Sequence, residues 1–231
     1  MDTVDGFVAA PRRGDHKVGV LALQGDVREH ARAFAELGVT ALEVRTPADL
    51  EAVDLLVLPG GESTTMSLLL ETSGLLGPLT ERLRAGMPAF GTCAGMILLS
   101  ADVMDGRPDQ HYLAAVDIGV RRNAFGRQVD SFETDLKVDG LAEDFHAVFI
   151  RAPVVERVGP DVEVLATVTD ARGVARPVLC RQGRILVAAF HPELSGDPRL
   201  HEKFLKNAVA GTPALSTQAR SHEEAGSDVR S

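Results

Sequence analysis

The sequence predicts an α/β protein with a mostly parallel open sheet, flanked by helices, and with additional antiparallel strands. Up to Met104, short continuous apolar runs alternate with stretches of helical period, and this order is typical of right-handed crossovers between parallel strands. After Met104 an alternating pattern of period two appears, which indicates strands with one exposed face. The chain has 231 residues, 45% of them hydrophobic, which suits one sizeable domain with a real core.

The first strand and helix are predicted directly after the N-terminal segment. Val18–Leu23 is a continuous apolar run bounded by Gly25, as expected of a strand buried on both faces. In the helix that follows, Asp26 is the expected N-cap, Glu29 its capping-box partner, and Gly38 the terminating residue. Apolar side chains recur at helical spacing between them, at Val27, Ala31, Phe34 and Leu37.

The alternation then continues along the chain. The expected elements are strands at Ala41–Val44 and Leu55–Leu58, a helix at Ser63–Glu71, a strand at Pro88–Gly91 and a helix at Ala94–Leu99. In the second half, Phe132, Thr134, Leu136 and Val138 alternate with charged residues and predict a half-exposed strand. Further strands are expected at Val162–Thr169, Pro177–Cys180 and Ile185–Phe190, the last two as a hairpin, before a closing helix at Pro198–Val209.

Charge and composition exclude several classes of function. Lys and Arg number 24 against 33 Asp and Glu, a net charge of −9, and aromatic residues make up only 4%, so no nucleic-acid partner is expected. The longest apolar runs are about as long as Ile185–Phe190, far below the roughly 20 residues that cross a bilayer, so no membrane is expected. The N-terminal segment lacks the basic region of a signal peptide, which predicts a cytoplasmic protein.

Three segments of different composition are predicted. Residues 1–17 are expected to form a flexible N-terminal extension, residues 18–209 one folded domain, and residues 210–231 a disordered tail.

Cys93 is the candidate nucleophile. It lies between Gly91 and Gly95 at a predicted strand-to-helix transition, the arrangement of a nucleophile elbow, where glycines allow a strained turn and a close backbone approach. A helix N-terminus and a nearby imidazolium would both favour the thiolate. Cys180 lies inside a strand without flanking glycines, and we expect it to be structural. The two cysteines lack C-x-x-C spacing, so no thiolate metal site is predicted.

His191 is the candidate base for this cysteine. It ends another predicted strand, and the carboxyl ends of parallel strands meet at one edge of the sheet, so His191 and Cys93 can be neighbours. Glu193 could accept a hydrogen bond from the second imidazole nitrogen and hold the ring in one tautomer.

A glycine pair, Gly60-Gly61, lies between a predicted strand and a predicted helix. The lysine of a phosphate-binding P-loop is missing, so a nucleotide site is not expected. The pair fits either a simple tight turn or an oxyanion hole, in which the N–H groups of Gly61 and Ala94 would face the developing charge.

Several motifs together resemble one family. In chain order they are Q-G-D-V-R-E-H from Gln24, P-G-G-E-S-T-T-M from Pro59, G-T-C-A-G from Gly91, R-R-N-A-F-G-R-Q-V-D-S-F-E from Arg121, and F-H-P-E from Phe190. From about residue 18 to 209, the sequence is similar to the glutaminase subunits of pyridoxal 5′-phosphate synthase, a family of triad (class I) glutamine amidotransferases. G-x-C-x-G with H-x-E identifies the superfamily, and the R-N-x-F-G-R-Q and Q-G-x-x-R-E-H segments narrow the likeness to this family.

The resemblance implies a role for each site residue. Cys93 would be the nucleophile, His191 the base and then the acid, and Glu193 the residue that orients it. The residues that would hold the substrate L-glutamine are Gly61, Glu62, Ser63, Arg122, Ile150 and Arg151. A guanidinium fork suits an α-carboxylate, so either arginine is a candidate for it, and Glu62 could face the α-ammonium.

The resemblance also implies a partner. Ammonia would pass to a separate synthase subunit in a hetero-oligomeric complex, with pyridoxal phosphate as the product of the complex and no cofactor or metal bound to this chain. We expect docking at Gln24–His30 and Gly60–Thr65 to turn a peptide N–H into the oxyanion hole. The alternatives are a glutaminase of another pathway such as histidine biosynthesis, a cysteine hydrolase without a partner, and an inactive interaction module. The first is not expected to carry R-N-x-F-G-R-Q, and the last has no reason to keep the triad.

Overall fold

The computed structural model describes residues 16–122 and 131–210. The helices in chain order are α1 (Val27–Glu36), α2 (Pro47–Glu51), α3 (Ser63–Thr72), α4 (Leu76–Arg84), α5 (Ala94–Leu99) and α6 (Arg199–Val209), with a 3₁₀ turn at Pro192–Leu194. The strands are β1 (Val18–Leu21), β2 (Ala41–Val44), β3 (Leu55–Leu58), β4 (Ala89–Thr92), β5 (Ser100–Val103), β6 (Val116–Arg121), β7 (Ser131–Leu136), β8 (Phe145–Ile150), β9 (Val154–Val158), β10 (Glu163–Thr169), β11 (Ala175–Gln182) and β12 (Ile185–Ala188).

A seven-stranded sheet of order β10-β11-β12-β4-β3-β1-β2 forms the centre of the fold. The five strands from β12 to β2 are parallel, whereas β11 pairs antiparallel with β10 and with β12. Every residue of β1, β3, β4 and β12 is buried, as expected of continuous apolar strands covered on both faces by helices. The predicted fold class, with its antiparallel additions, is confirmed.

Two smaller sheets complete the second half of the described chain, one of order β5-β6-β9 and one formed by β7 and β8. The predicted half-exposed strand is β7, which alternates exposed and partly buried side chains until the buried Leu136. Phe132 of β7 stacks on the buried Phe149 of β8, with ring centroids 4.4 Å apart. This small sheet places the end of β8 beside the carboxyl edge of the central sheet, because the N–H of His191 donates to the carbonyl of Val148.

Several elements go beyond the sequence prediction. Helix α2 begins with a capping box between Thr46 and Asp49, but it has only five residues and one buried side chain, so its apolar period is too short to recognise. Helix α4 was not predicted because Gly77 and Pro78 lie in its first turn, and a Gly-Pro pair is typical of a turn or loop between elements. Strands β5, β6, β8 and β9 are also absent from the prediction, and all of them lie in the two small sheets.

The predicted start of α1 needs a correction. Asp26 occupies the N-cap position, but its side chain makes no capping hydrogen bond, so the expected capping box with Glu29 is wrong. The carboxylate of Asp26 instead lies near the ring of His191, which sequence position alone does not reveal. The predicted end is confirmed: Gly38, at φ +73°, donates to the carbonyl of Ala35.

No helix in residues 16–122 and 131–210 has both the length and the apolar character that a membrane-spanning segment needs. The expectations for residues 1–15, for residues 123–130 within the R-N-A-F-G-R-Q motif, and for residues 211–231 lie outside the described chain.

Candidate active site

Cys93 lies at a sharp turn between β4 and α5, at the carboxyl edge of the parallel sheet. Its φ of +47° and ψ of −102° are unusual for a residue other than glycine and cost on the order of 1–3 kcal/mol. The residue is 7% exposed, and its Sγ lies 3.9 Å from the carbonyl oxygen of Ile150. This is the nucleophile-elbow geometry that the sequence predicted, and packing of the surrounding backbone maintains the strained conformation of Cys93.

The flanking glycines let the backbone pack closely at this turn. A Cβ on Gly95 would overlap the carbonyl oxygen of Leu58 in β3, and a Cβ on Gly91 would come within 2.7 Å of the Gly95 carbonyl group. Real Cβ atoms essentially never approach backbone this closely. The glycines therefore allow α5 to begin directly against β3 and β4, which holds Cys93 at the sheet edge.

His191 and Glu193 form a buried pair after β12. The 3₁₀ turn that begins at Pro192 brings the Glu193 carboxylate back to the ring, and His191 Nδ1 lies 2.8 Å from Glu193 Oε1. Asp26 Oδ2 lies 3.4 Å from the same nitrogen. His191 and Glu193 are thus neighbours, as the sequence predicted. Asp26 is a third group near the imidazole, although its sequence position predicted a helix N-cap.

The electrostatics of this pair favour a charged imidazole. Burial lowers the pKa of His191, but hydrogen bonds with Asp26, Cys93 and Glu193 outweigh burial, and the pKa lies well above its ordinary value. Burial raises the pKa of Glu193, while the hydrogen bond and the charge of His191 act in the opposite direction. The raised pKa favours the imidazolium form of His191, and Cys93 is one of the groups that raise it.

The glycine loop packs directly onto His191. A Cβ on Gly60 would overlap the ring carbon Cε1, and a Cβ on Gly25, at φ +100°, would overlap the Gly60 carbonyl oxygen. Gln24 fastens the same loop, because its Oε1 accepts a hydrogen bond of 3.0 Å from the N–H of Glu62. The Q-G and P-G-G-E segments, distant in sequence, therefore form one surface around the imidazole.

Glu62 serves as the N-cap of α3. Its two carboxylate oxygens accept from the N–H groups of Thr64, at 3.0 Å, and Thr65, at 2.7 Å. Partial burial raises the pKa of Glu62, but these hydrogen bonds outweigh it and hold the pKa below its usual value. The exposed Glu62 and the buried Ser63 lie at the start of the helix. An interaction between Glu62 and a substrate ammonium stays a prediction. In that case the Glu62 carboxylate would contact the ammonium and the N–H groups of α3 at the same time.

Arg122 and Ile150 come near this edge from the smaller sheets. Arg122, directly after β6, donates from Nη1 to Thr64 Oγ1 at 3.0 Å and to Gln110 Oε1 at 3.2 Å. Among the described residues, its buried Nε has no hydrogen-bond partner, and neither has Nε2 of Gln110. The exposed Arg151 has a φ of +43° and is a second strained residue. It directly follows Ile150, whose carbonyl oxygen lies near Cys93 Sγ.

Sequence reasoning missed three residues near the site as functional candidates: Asp26, Gln110 and His30. Asp26 carries an N-cap signal that hides its proximity to His191, and Gln110 lies in a loop without a periodic pattern. His30 belongs to the Q-G-x-x-R-E-H segment, and the structure places it fully buried in α1 next to Glu193. Cys180, as predicted, is buried in a strand, and burial raises the pKa of its thiol to about 12.

One cluster within the described residues has the ligand atoms for a metal ion: Asp26, His191 and Glu193, whose donor atoms all lie within 4.8 Å of one another. His191 Nδ1 already lies at hydrogen-bond distance from Glu193, and the same nitrogen would have to be the ligand. The arrangement is thus that of a histidine oriented by carboxylates, next to a cysteine at an elbow.

Comparison with known proteins agrees with this geometry. Residues 20–210 match the SNO glutamine amidotransferase family. The chain is 61% identical over 194 residues to the pyridoxal 5′-phosphate synthase subunit PdxT of Mycobacteroides abscessus, covering 84% of this chain and 98% of that protein. It is 59% identical over 191 residues to the protein of the same name from Rhodococcus jostii, covering 81% and 95%.

Solved structures show the same fold. One described as a glutamine amidotransferase has a TM-score of 0.77 at 52% identity, covering 83% of this chain and 98% of that one. A glutamine amidotransferase from Thermotoga maritima shows a likeness of fold alone, with a TM-score of 0.51 at 17% identity, covering 85% and 92%. With the family match extending over most of the described chain and identities near 60% to full-length relatives, this protein belongs to the SNO glutamine amidotransferase family.

Proposed function

We propose that this chain is the glutaminase subunit of pyridoxal 5′-phosphate synthase, which hydrolyses L-glutamine to glutamate and supplies ammonia to a separate synthase subunit. The observation that carries this proposal is the meeting of Cys93, on a strained elbow, with the buried His191–Glu193 pair. The identity of 61% to a pyridoxal 5′-phosphate synthase subunit supports the pathway.

The first half of the reaction forms a thioester. The Cys93 thiolate attacks the side-chain carbonyl carbon of glutamine, and the N–H groups of Gly61 and Ala94 stabilise the resulting oxyanion. The imidazolium of His191 then donates its Nε2 proton to the leaving nitrogen as the C–N bond breaks, and ammonia departs. Glu193 keeps the ring oriented through Nδ1 throughout, as the third member of a triad does.

The second half regenerates the enzyme. Neutral His191 takes a proton from water as the water oxygen attacks the thioester carbonyl, and the Cys93 sulfur leaves as a thiolate. Glutamate is released, and the thiolate–imidazolium pair is restored. Because the pKa of His191 is raised, the charged ring that this cycle begins and ends with is the stable form at neutral pH.

Gly61, Glu62, Ser63, Arg122, Ile150 and Arg151 hold the substrate in this proposal. Arg122 is the better candidate for the α-carboxylate, because Thr64 and Gln110 fix its guanidinium and its buried Nε has no hydrogen-bond partner within residues 16–122 and 131–210. A carboxylate that pairs with the fork would satisfy this nitrogen. Arg151, strained and exposed, is the candidate for a contact that forms only with substrate or partner.

Removal of the Arg122 guanidinium is expected to weaken use of glutamine. Loss of a desolvated carboxylate partner costs on the order of 2–5 kcal/mol, so kcat/KM of Arg122→Ala should fall by about 30-fold or more, mostly through KM. Steady-state glutamate release at varied glutamine concentration measures this fall in kcat/KM. Arg84→Ala is the matched control, because Arg84 is exposed at the C-terminal end of α4. This helix precedes the N-terminal end of β4, whereas Cys93 follows the C-terminal end of that strand. Equal kinetic constants for Arg122→Ala and wild type would remove Arg122 from the substrate site.

The partner is proposed to dock at Gln24–His30 and Gly60–Thr65, and the hydrogen bond from Glu62 N–H to Gln24 joins these two segments. A contact with either segment can therefore move the Gly60-Gly61 peptide. One oxyanion donor contributes about a hundred- to a thousand-fold in rate, so this movement is large enough to switch hydrolysis on.

Titration of the purified chain with the synthase subunit tests the function and the switch together. We expect glutamate release to rise with complex formation until the subunits are saturated. A rate that stays flat in a mixture shown to contain the complex would contradict activation by the partner. Absence of glutamate release at every ratio would contradict the glutaminase function itself.

We also propose that residues 18–209 form one glutaminase domain and that the protein works in the cytoplasm. The family match over residues 20–210 supports the domain limits. Both cysteines are free thiols, as a thiolate nucleophile requires, and a reducing compartment keeps them so.

A further inference from the structure

The second oxygen of the Glu193 carboxylate faces a histidine that the reaction above does not use. Oε1 accepts from His191, whereas the buried Oε2 has no hydrogen-bond partner in the part of the chain that the structure describes and lies 3.4 Å from Nε2 of His30. Both side chains are completely buried. A buried carboxylate oxygen without a hydrogen-bond donor costs free energy. It therefore matters for Glu193 whether Nε2 of His30 carries a proton.

His30 belongs to a buried chain of polar groups. Its Nδ1 lies 2.9 Å from Nε2 of His201 in α6, and its Nε2 lies 3.2 Å from Oγ1 of Thr92, the residue before Cys93. The ring of His201 packs edge-on against Phe34 and Phe90, with centroids 5.0 and 5.8 Å apart. Helices α1 and α6 thus meet behind the catalytic pair through two histidines.

Both histidines are neutral in this environment. Burial, with smaller effects of His201 and His191, lowers the pKa of His30 well below its ordinary value. Burial lowers the pKa of His201 to about 4. One ring must therefore donate and the other accept in the hydrogen bond between them, which leaves two arrangements of protons.

The surroundings select one of these arrangements. If His30 donated from Nδ1, His201 would carry its proton on its own Nδ1, which is buried and has no partner among the residues that the structure describes. The His30 lone pair on Nε2 would then face the Glu193 carboxylate. A buried unsatisfied donor costs about 1–3 kcal/mol. In the other arrangement His201 donates from Nε2, its bare Nδ1 needs no acceptor, and His30 directs an N–H from Nε2 toward Glu193 Oε2 and Thr92 Oγ1.

We propose that His30, held in its Nε2–H tautomer by His201, is a positioning residue that holds the Glu193 carboxylate in place for His191. This proposal rests on the glutaminase function proposed above. The groups that face Glu193 are His191 and Asp26 on one side and His30, backed by His201, on the other. His30 acts through Glu193 and contacts no substrate.

Kinetics of the complex with the synthase subunit test the role of the His30 N–H. In His30→Leu we expect kcat to fall about 10- to 100-fold, the range for loss of a supporting contact, while KM for glutamine changes less than about twofold. Loss of the donor raises the pKa of Glu193, so the acid limb of kcat/KM should move to higher pH. His30→Gln, which offers an amide N–H near the same place, should recover part of kcat and return the limb toward wild type. His146→Leu, at an exposed histidine of β8, is the control and should match wild type.

The tautomer is measured on the wild-type chain, so the test does not depend on a variant that folds. In ¹⁵N-histidine NMR spectra of the wild-type protein, we expect neutral His30 and His201 to carry their protons on Nε2. A proton on Nδ1 of His30 would overturn the proposal, as would a folded His30→Leu variant with the kcat and pH profile of wild type. Wild-type protein that shows these tautomers but releases no glutamate would instead contradict the proposed function.

Discussion

Glutamine hydrolysis by Cys93→Ala and Cys93→Ser is expected to fall by on the order of 10⁴- to 10⁶-fold, the range seen when a covalent nucleophile is lost. The thiolate alone forms the acyl intermediate, and a serine hydroxyl beside an imidazolium has no base to deprotonate it. The measurement is steady-state glutamate release in the complex with the synthase subunit. The melting temperature of both variants should stay close to wild type, because the strained backbone at residue 93 is held by the glycine packing of α5 and not by the sulfur.

Cys180→Ala is the matched control for this experiment. Cys180 is fully buried in β11, and its substitution should lower stability slightly while leaving kcat unchanged. A glutamine analogue that alkylates thiols should label Cys93 and spare Cys180, as read by peptide mass spectrometry, because the raised pKa of Cys180 keeps that thiol protonated. Labelling of Cys180 alone would show that the nucleophile is assigned to the wrong residue.

His191→Asn is expected to cost nearly as much as loss of the nucleophile, because the members of a triad act as a unit and their losses do not add. Asparagine can still donate to Glu193, but it provides neither the proton for ammonia nor the base for water. Double substitution with Cys93→Ala should therefore add little. Equal rates for wild type and His191→Asn at saturating glutamine would remove the triad from the mechanism.

The Glu193→Gln variant tests the orientation of the His191 ring by Glu193 separately from proton transfer by His191. We expect a smaller loss than in His191→Asn, since the imidazole remains. The carboxylate raises the pKa of His191, so its removal lowers that pKa and should move the alkaline limb of the pH profile to lower pH. The pH dependence of kcat/KM of the complex measures this shift, and the acid limb that Glu193 sets should be lost in the same variant.

Local sequence patterns determined the fold class and the candidate catalytic residues. Continuous apolar runs predicted the buried strands β1, β3, β4 and β12, since a strand covered on both faces has no polar side to show. The glycines around Cys93 predicted the elbow, because close backbone approach leaves no space for a Cβ. Glu193 lies two residues after His191, so one turn of chain brings the pair together. Each of these signals acts over a few neighbouring residues, which is why sequence alone could reveal it.

Tertiary structure decided which partner each polar side chain took. Asp26 has the sequence signal of a cap, yet its carboxylate lies by His191. Glu62, predicted to face the substrate ammonium, also caps α3, which the sequence did not reveal. The role proposed for His30 depends on α6, which brings His201 to one of its nitrogens, and on the turn after β12, which brings Glu193 to the other. A side chain can satisfy a hydrogen bond with several groups of nearly equal strength, and long-range packing determines which of them is within reach. The sequence therefore identified the candidate catalytic residues, and only the packing of distant segments determined the surroundings that orient their side chains.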